Sequence, residues 1–252
     1  MSKQEHYGIC HICGKYGKLS YEHIPPQSAF NNRKRKMSTL EVLLNDETSN
    51  RAPWDIEGLK YQQFQKGTGF YTLCESCNNF TGGKYGEAYS KFVQSIGIEV
   101  MKIPKENRIN SLTFHIEPLN LLAIFKQALS MFCSLNTEQF GNIFKDFLLN
   151  ENNNVFDCNK YKMCIYLHAG HTDRLIPFQS RINTKTRKID VFSEISTFPI
   201  GFIFYNITDT IQFYGCDITS FSQCNYNLEY RMDIPIPFLE CNTPFGLDFR
   251  KF

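Results

Sequence analysis

The sequence predicts an α+β protein in two parts: a small metal-stapled module over residues 1–103, then a compact domain of helices followed by strands over 104–252. Three observations carry that expectation. Two Cys-x-x-Cys pairs, Cys10-His11-Ile12-Cys13 and Cys74-Glu75-Ser76-Cys77, fall in the first part, with residues 14–73 between them. Residues 118–135 repeat apolar side chains at helical spacing. From residue 162 onward, short runs rich in Ile, Phe and Tyr are separated by Gly, Asn, Asp and Pro, the texture of strands and turns.

In chain order, residues 7–23 read as a zinc knuckle and a hairpin. Gly8 and Gly14 flank the first cysteine pair, where a tight knuckle needs permissive backbone. Gly17-Lys18 marks a turn, Leu19-Ser20-Tyr21 a short strand, and Pro25-Pro26 a stop that stiffens the strand's exit. Residues 38–44 suit a short helix with Ser38 as cap and Glu41 three residues on; Ala52-Pro53-Trp54 suits a loop. Residues 61–64 and 70–73, joined through Gly67-Thr68-Gly69, read as a second hairpin that delivers Cys74. Over 84–100, Tyr85, Tyr89, Phe92, Val93 and Ile96 recur at three- and four-residue spacing and predict a helix. Residues 104–107 mark a domain boundary. Pro118 suits the first turn of the helix over 118–135, whose apolar face is built from Leu119, Leu122, Ile124, Phe125, Leu129 and Phe132. A further helix is expected over 137–149, capped by Thr137. Strands are expected over 163–167, 175–181, 189–192, 200–205, 211–214 and 228–234.

Composition limits the classes. The chain has 252 residues, enough to bury a core, with 23 Phe and 13 Tyr to fill it. Formal net charge is +2, so any nucleic-acid footprint is local. No run of about 18 apolar residues is present, which argues against a membrane span. The polar start, Met1-Ser2-Lys3-Gln4-Glu5-His6, lacks the apolar centre of a signal peptide. Of ten cysteines, four are paired in spacing; Cys133, Cys158, Cys164, Cys216, Cys224 and Cys241 are scattered, unlike a secreted disulfide framework. They are expected as small apolar core residues of a cytoplasmic protein.

The four paired cysteines, Cys10, Cys13, Cys74 and Cys77, suit a tetrahedral structural zinc. A redox pair would need one motif at a helix start beside a parallel-sheet pattern, which is missing. Between the pairs lies Tyr21-Glu22-His23-Ile24-Pro25-Pro26, and Asn78-Asn79 follows the second pair directly. A carboxylate and an amide oxygen are hard donors suited to magnesium, and an imidazole is a base near neutral pH. Together they suit phosphodiester hydrolysis, where charge grows on the phosphate. Adjacent strand residues point to opposite faces, so the Pro-Pro exit has to bring Glu22 and His23 together. Arg33-Lys34-Arg35-Lys36 is the dense basic run of the chain and a candidate phosphate contact, with Lys84 a second. His11, inside the first knuckle, is expected neither as a zinc ligand nor as a contact; His115, His168 and His171 are expected to be structural.

The order Cys-x-x-Cys, Glu22-His23-Ile24-Pro25-Pro26, Leu73-Cys74-Glu75-Ser76-Cys77-Asn78 resembles the HNH endonucleases of the ββα-metal fold, over residues 8 to about 90. The resemblance implies His23 as general base, with Glu22 and Asn78 as ligands of a catalytic magnesium or manganese ion and Asn79 as alternative ligand. The family often carries an Asn about five residues before the third zinc cysteine; here Gly69 stands there, with Thr68 or Gln63 as stand-ins. DNA is the implied substrate, RNA the alternative, and defence or mobile DNA the implied setting. Residues 105–252 show no motif and are expected to fold separately, hold no catalytic metal, and offer targeting, regulation or a surface for a protein partner. Rival readings are a zinc-binding nucleic-acid adaptor without catalysis and a nuclease subunit active only with a partner protein.

Overall fold

The computed structural model describes residues 5–39, 41–42, 58–103, 110–168, 173–182, 187, 189–207 and 215–238. The Ala52-Pro53-Trp54 loop, the end of the 38–44 helix, the 104–107 boundary, the 211–214 strand, His171 and Cys241 lie outside the described residues. The fold is mixed α+β. Strands β1 (His6–Ile9), β2 (Tyr16–His23) and β5 (Gly69–Cys74) form an antiparallel sheet in the order β1-β2-β5. Helix α1 (Glu75–Met101) leaves β5 without a break. Strands β3 (Arg35–Met37) and β4 (Gln62–Phe64) pair with each other. Strand β6 (Ser111–Leu119) follows, then helices α2 (Leu121–Leu135), α3 (Glu138–Ile143) and α4 (Lys145–Leu148). Strands β7 (Tyr161–Leu167), β8 (Arg174–Ile182), β9 (Ile189–Thr197), β10 (Ile200–Asn206) and β11 (Cys216–Asp217) make an antiparallel sheet in the order β11-β7-β10-β9-β8. Strand β12 (Tyr230–Pro237) returns to pair with β6.

Several expectations are corrected. Gly17-Lys18 lies inside β2; the turn is the knuckle itself, where Gly14 N donates to Cys10 O at 2.9 Å and Gly14 has φ +72°. The second hairpin does not form: β4 pairs with β3 and β5 with β2, because β2 gives β5 a long antiparallel partner. The basic run is thus partly a strand. In the 38–44 region, Thr39 Oγ1 accepts from Val42 N, while Ser38 donates to Lys60 O. Helix α1 begins at Glu75, so Asn78 and Asn79 lie within its first turns. Pro118 and Leu119 are strand, not helix; Asn120 caps α2, its Oδ1 accepting from Ala123 N at 2.9 Å. The 137–149 helix divides at Phe144 into α3 and α4. Strand β6 was readable in the alternation of Leu112, Phe114 and Ile116 with Thr113, His115 and Glu117.

Helix α2 is the centre. Every residue from Leu121 to Ser134 is buried, including the polar Lys126, Gln127, Ser130 and Ser134, so the helix is enclosed on all sides. It packs on α1, β5, β8 and the 3-10 turn at Thr219–Gln223. Phe140, Phe144, Phe178, Tyr161 and Phe204 meet edge to face or stacked beneath the five-stranded sheet. The core is continuous from Cys10 through α1 and α2 to Ile236, so it spans both expected domains. Of the scattered cysteines, Cys133 and Cys164 are buried, while Cys158, Cys216 and Cys224 are half-buried and free. Among the described residues, no helix is long and apolar enough to cross a membrane.

Candidate functional site

The sulfur atoms of Cys10, Cys13, Cys74 and Cys77 all lie within 4.8 Å of one another. Cys13 Sγ and Cys74 Sγ are 3.8 Å apart, which suits thiolates about 2.3 Å from one tetrahedral ion and roughly 3.8 Å from each other. The group can hold a structural metal such as zinc. Two of its members sit on the knuckle after β1; Cys74 ends β5 and Cys77 lies in the first turn of α1. The Cys77 thiol donates to Cys10, which holds Cys10 down to about 4 and pushes Cys77 above its ordinary value. One thiolate is therefore already favoured in the knuckle. His11 turns away from it: Nδ1 lies 3.2 Å from the carbonyls of Cys133 and Ser134 and caps the end of α2.

The knuckle fixes β2 against the start of α1. Asn78 Nδ2 donates to Ser20 Oγ at 3.0 Å and to Tyr21 O at 3.2 Å, so the helix touches the strand one residue before Glu22. Asn78 is half-buried, whereas Asn79 is exposed. Glu22 is 5% exposed, and its carboxylate points inward. Burial pushes its pKa up to about 8, although the Ser134 hydroxyl donates to it; Oε2 has no hydrogen-bond partner. His23 points the other way. Its ring meets Tyr21 edge-on at 4.9 Å and donates to the Lys66 carbonyl, while partial burial holds its pKa below the ordinary value. Strand alternation has kept Glu22 and His23 on opposite faces; among the described residues their side chains share no partner. No protein-family model matches the chain, and no curated protein or solved structure matches it.

The loop that leaves His23 is held by residues the sequence did not single out. Asn31, 4% exposed, donates to Pro25 O at 2.6 Å and Thr68 O at 2.8 Å and accepts from Thr68 N at 2.9 Å. Thr68 Oγ1 donates to Ile24 O at 2.8 Å. Of the two residues offered as stand-ins, Thr68 bonds to this loop, whereas Gln63 lies in β4. Nothing in the sequence separates Asn31 from Asn32. Gly69 itself is required by space: a Cβ there would come within 2.2 Å of Glu22 O. Ser134, from α2, carried no sequence signal either.

Of the basic candidates, Arg35 Nε lies 3.0 Å from Asp173 Oδ2 and Lys84 Nζ 3.0 Å from Glu151 Oε1, so both are engaged by the second half of the chain. Lys36 lies over the Tyr61 ring at 4.4 Å. Arg33 and Lys34 are exposed. Of the other histidines, His115 pairs with Asp233 at 2.6 Å, and buried His168 meets Ser196 Oγ at 3.2 Å.

Proposed function

We propose that this chain is a zinc-stapled, metal-dependent endonuclease of the HNH kind that hydrolyses phosphodiester bonds in DNA. One observation carries the proposal: Asn78 reaches the Tyr21 carbonyl, so the four cysteines hold the start of α1 on the strand that bears Glu22-His23. His23 is the general base. Partial burial favours its neutral form near pH 7, and the hydrogen bond to the Lys66 carbonyl fixes the ring. Glu22 and Asn78 would hold a magnesium or manganese ion. Their oxygens are hard donors, and buried Glu22 Oε2, which lacks a partner, is an atom a cation would satisfy. Such an ion supplies stabilisation of the charge growing on the phosphate. Glu22 has to turn out from Ser134 to serve the same phosphate as His23.

Plasmid nicking in magnesium and in manganese tests the proposal. Wild type is expected to cut. His23→Ala is expected to lose activity by roughly 10²–10⁴-fold while keeping its zinc and thermal midpoint. Asn78→Ala should lose activity that high manganese partly restores, and Asn79→Ala should be mild. If His23→Ala cuts like wild type, the mechanism is wrong. If Asn79→Ala is dead and Asn78→Ala is not, the ligand register shifts by one residue. Wild-type protein that binds nucleic acid and never cuts it is a zinc-dependent adaptor instead.

A second reading, a nuclease switched on by a protein partner, is favoured by the contact of Ser134 with Glu22, because that serine belongs to the companion half. Ser134→Ala is then expected to raise basal nicking several-fold. Unchanged nicking removes this reading.

A further inference from the structure

The outer face of the β1-β2-β5 sheet carries a feature that the hydrolytic chemistry does not need. His6 stacks on Tyr71 with ring centroids 3.7 Å apart and planes 16° from parallel. Tyr71 meets Tyr21 edge-on at 5.1 Å, and Tyr21 meets His23 edge-on at 4.9 Å. The four rings form an unbroken row over the central strand, from the start of β1 to the end of β2. The row is not core: Tyr71 is 41% exposed, and the other three are half-buried. Each of its rings carries a polar atom. A core-type or obligate protein contact would place Leu, Ile or Phe here, as the buried face of this sheet does with Phe70 and Leu73.

The charge beside the row selects its occupant. Lys66, whose carbonyl holds His23, precedes Gly67, and Gly67 N donates to Arg33 O at 2.9 Å. That places exposed Arg33 and Lys34 by the His23 end. Neither has an ion-pair partner among the described residues, whereas Arg35 is paired with Asp173. At the other end, Glu5 is tied up by Lys18 at 2.5 Å and by the Tyr7 hydroxyl. Flat π-faces bind bases without reading sequence, and cations at one end of the row track the phosphates. Bases in a duplex are already stacked and cannot offer their faces to the row.

We propose that the His6–Tyr71–Tyr21–His23 row is a stacking platform for the unpaired bases of a single-stranded nucleic acid, whose backbone passes Arg33 and Lys34. The proposal deepens the nuclease reading, because the row ends on the imidazole of His23 and would lay a single strand across it. Binding is measured without added divalent cation and without turnover, so a failure of binding and a failure of cleavage are separate results.

The test is fluorescence anisotropy with labelled oligonucleotides of about 12 nucleotides, as unpaired DNA, unpaired RNA and duplex DNA. The full chain is expected to bind an unpaired strand more tightly than the duplex, and the tighter of DNA and RNA names the source. Tyr71→Leu, which keeps bulk and removes the π-face, is expected to weaken that binding roughly tenfold. Its zinc content and thermal midpoint should match wild type, which separates a lost surface from a lost fold. Tyr16→Leu, an exposed tyrosine outside the row, should bind like wild type. Arg33→Gln with Lys34→Gln should flatten the dependence of log affinity on log salt by about 1.4, the value for two phosphate contacts on a single strand. The proposal is overturned if no unpaired strand binds, if the duplex binds more tightly, or if Tyr71→Leu binds within twofold of wild type.

Discussion

Lys126 puts an ammonium inside the central helix. It is fully buried on α2, donates to Asn150 O at 2.7 Å and Glu151 O at 3.1 Å, and lies 4.5 Å from the centre of the Phe147 ring. Burial pulls its pKa from 10.5 down to about 7. Between those values the unfolded chain binds a proton that the folded chain does not. The stability this residue contributes is therefore fully present above 10.5 and is lost as pH falls through about 7. Denaturant midpoints are expected to rise from about pH 7 to about pH 9 in wild type, and to rise less in Lys126→Met. Equal slopes in the two proteins would contradict this. The sequence placed Lys126 on a helix but could not place it inside, because the carbonyls and rings around it come from residues 147–151 and from Tyr85.

The four-cysteine group joins elements rather than side chains. The Cys74 side chain makes no capping hydrogen bond to the backbone of α1, so the helix start is held by the four-cysteine group and by Asn78. Binding energy at such a site is folding energy. Cys74→Ser is expected to lose zinc and to melt lower than wild type by roughly 10 °C or more. Metal analysis that finds wild-type zinc in the variant, or none in freshly purified wild type, would contradict the assignment. Elements with strong local signals were legible: the knuckles, α1 and α2 from helical spacing, and most strands of the five-stranded sheet. The false hairpin at 61–73 was not corrected by local signals. Both its strands had the right texture, and only the competing partners β2 and β3 decided the pairing.

At the scale of the whole molecule, the two halves share one core. Cys10, Ile12, Ile24 and Leu73 of the first half belong to the same buried cluster as Leu129, Phe132 and Ile200 of the second. The Thr72 hydroxyl also meets Ser134, and Arg35 meets Asp173. A fragment of residues 1–103 would expose the surface that α2 covers. It is expected to be insoluble or to melt without cooperativity, even with zinc added. A fragment that stays soluble, binds zinc and melts cooperatively would show that the division at residue 103 is a true domain boundary.

The sequence by itself determined the four-cysteine group, and it set a carboxylate beside an imidazole between the two knuckles and an asparagine after the second. Those signals are local, set by ligand spacing and residue type. It also determined that apolar repeats of two and of three to four residues would give strands and helices. Only the tertiary structure decided that Glu22 faces Ser134 while His23 faces Tyr21, that Asn31 steadies the loop that leaves His23, and that Lys84 and Arg35 are spent on ion pairs. Burial, orientation and charge partners depend on groups tens of residues away in the chain. No periodicity within a segment records which of them will be its neighbours.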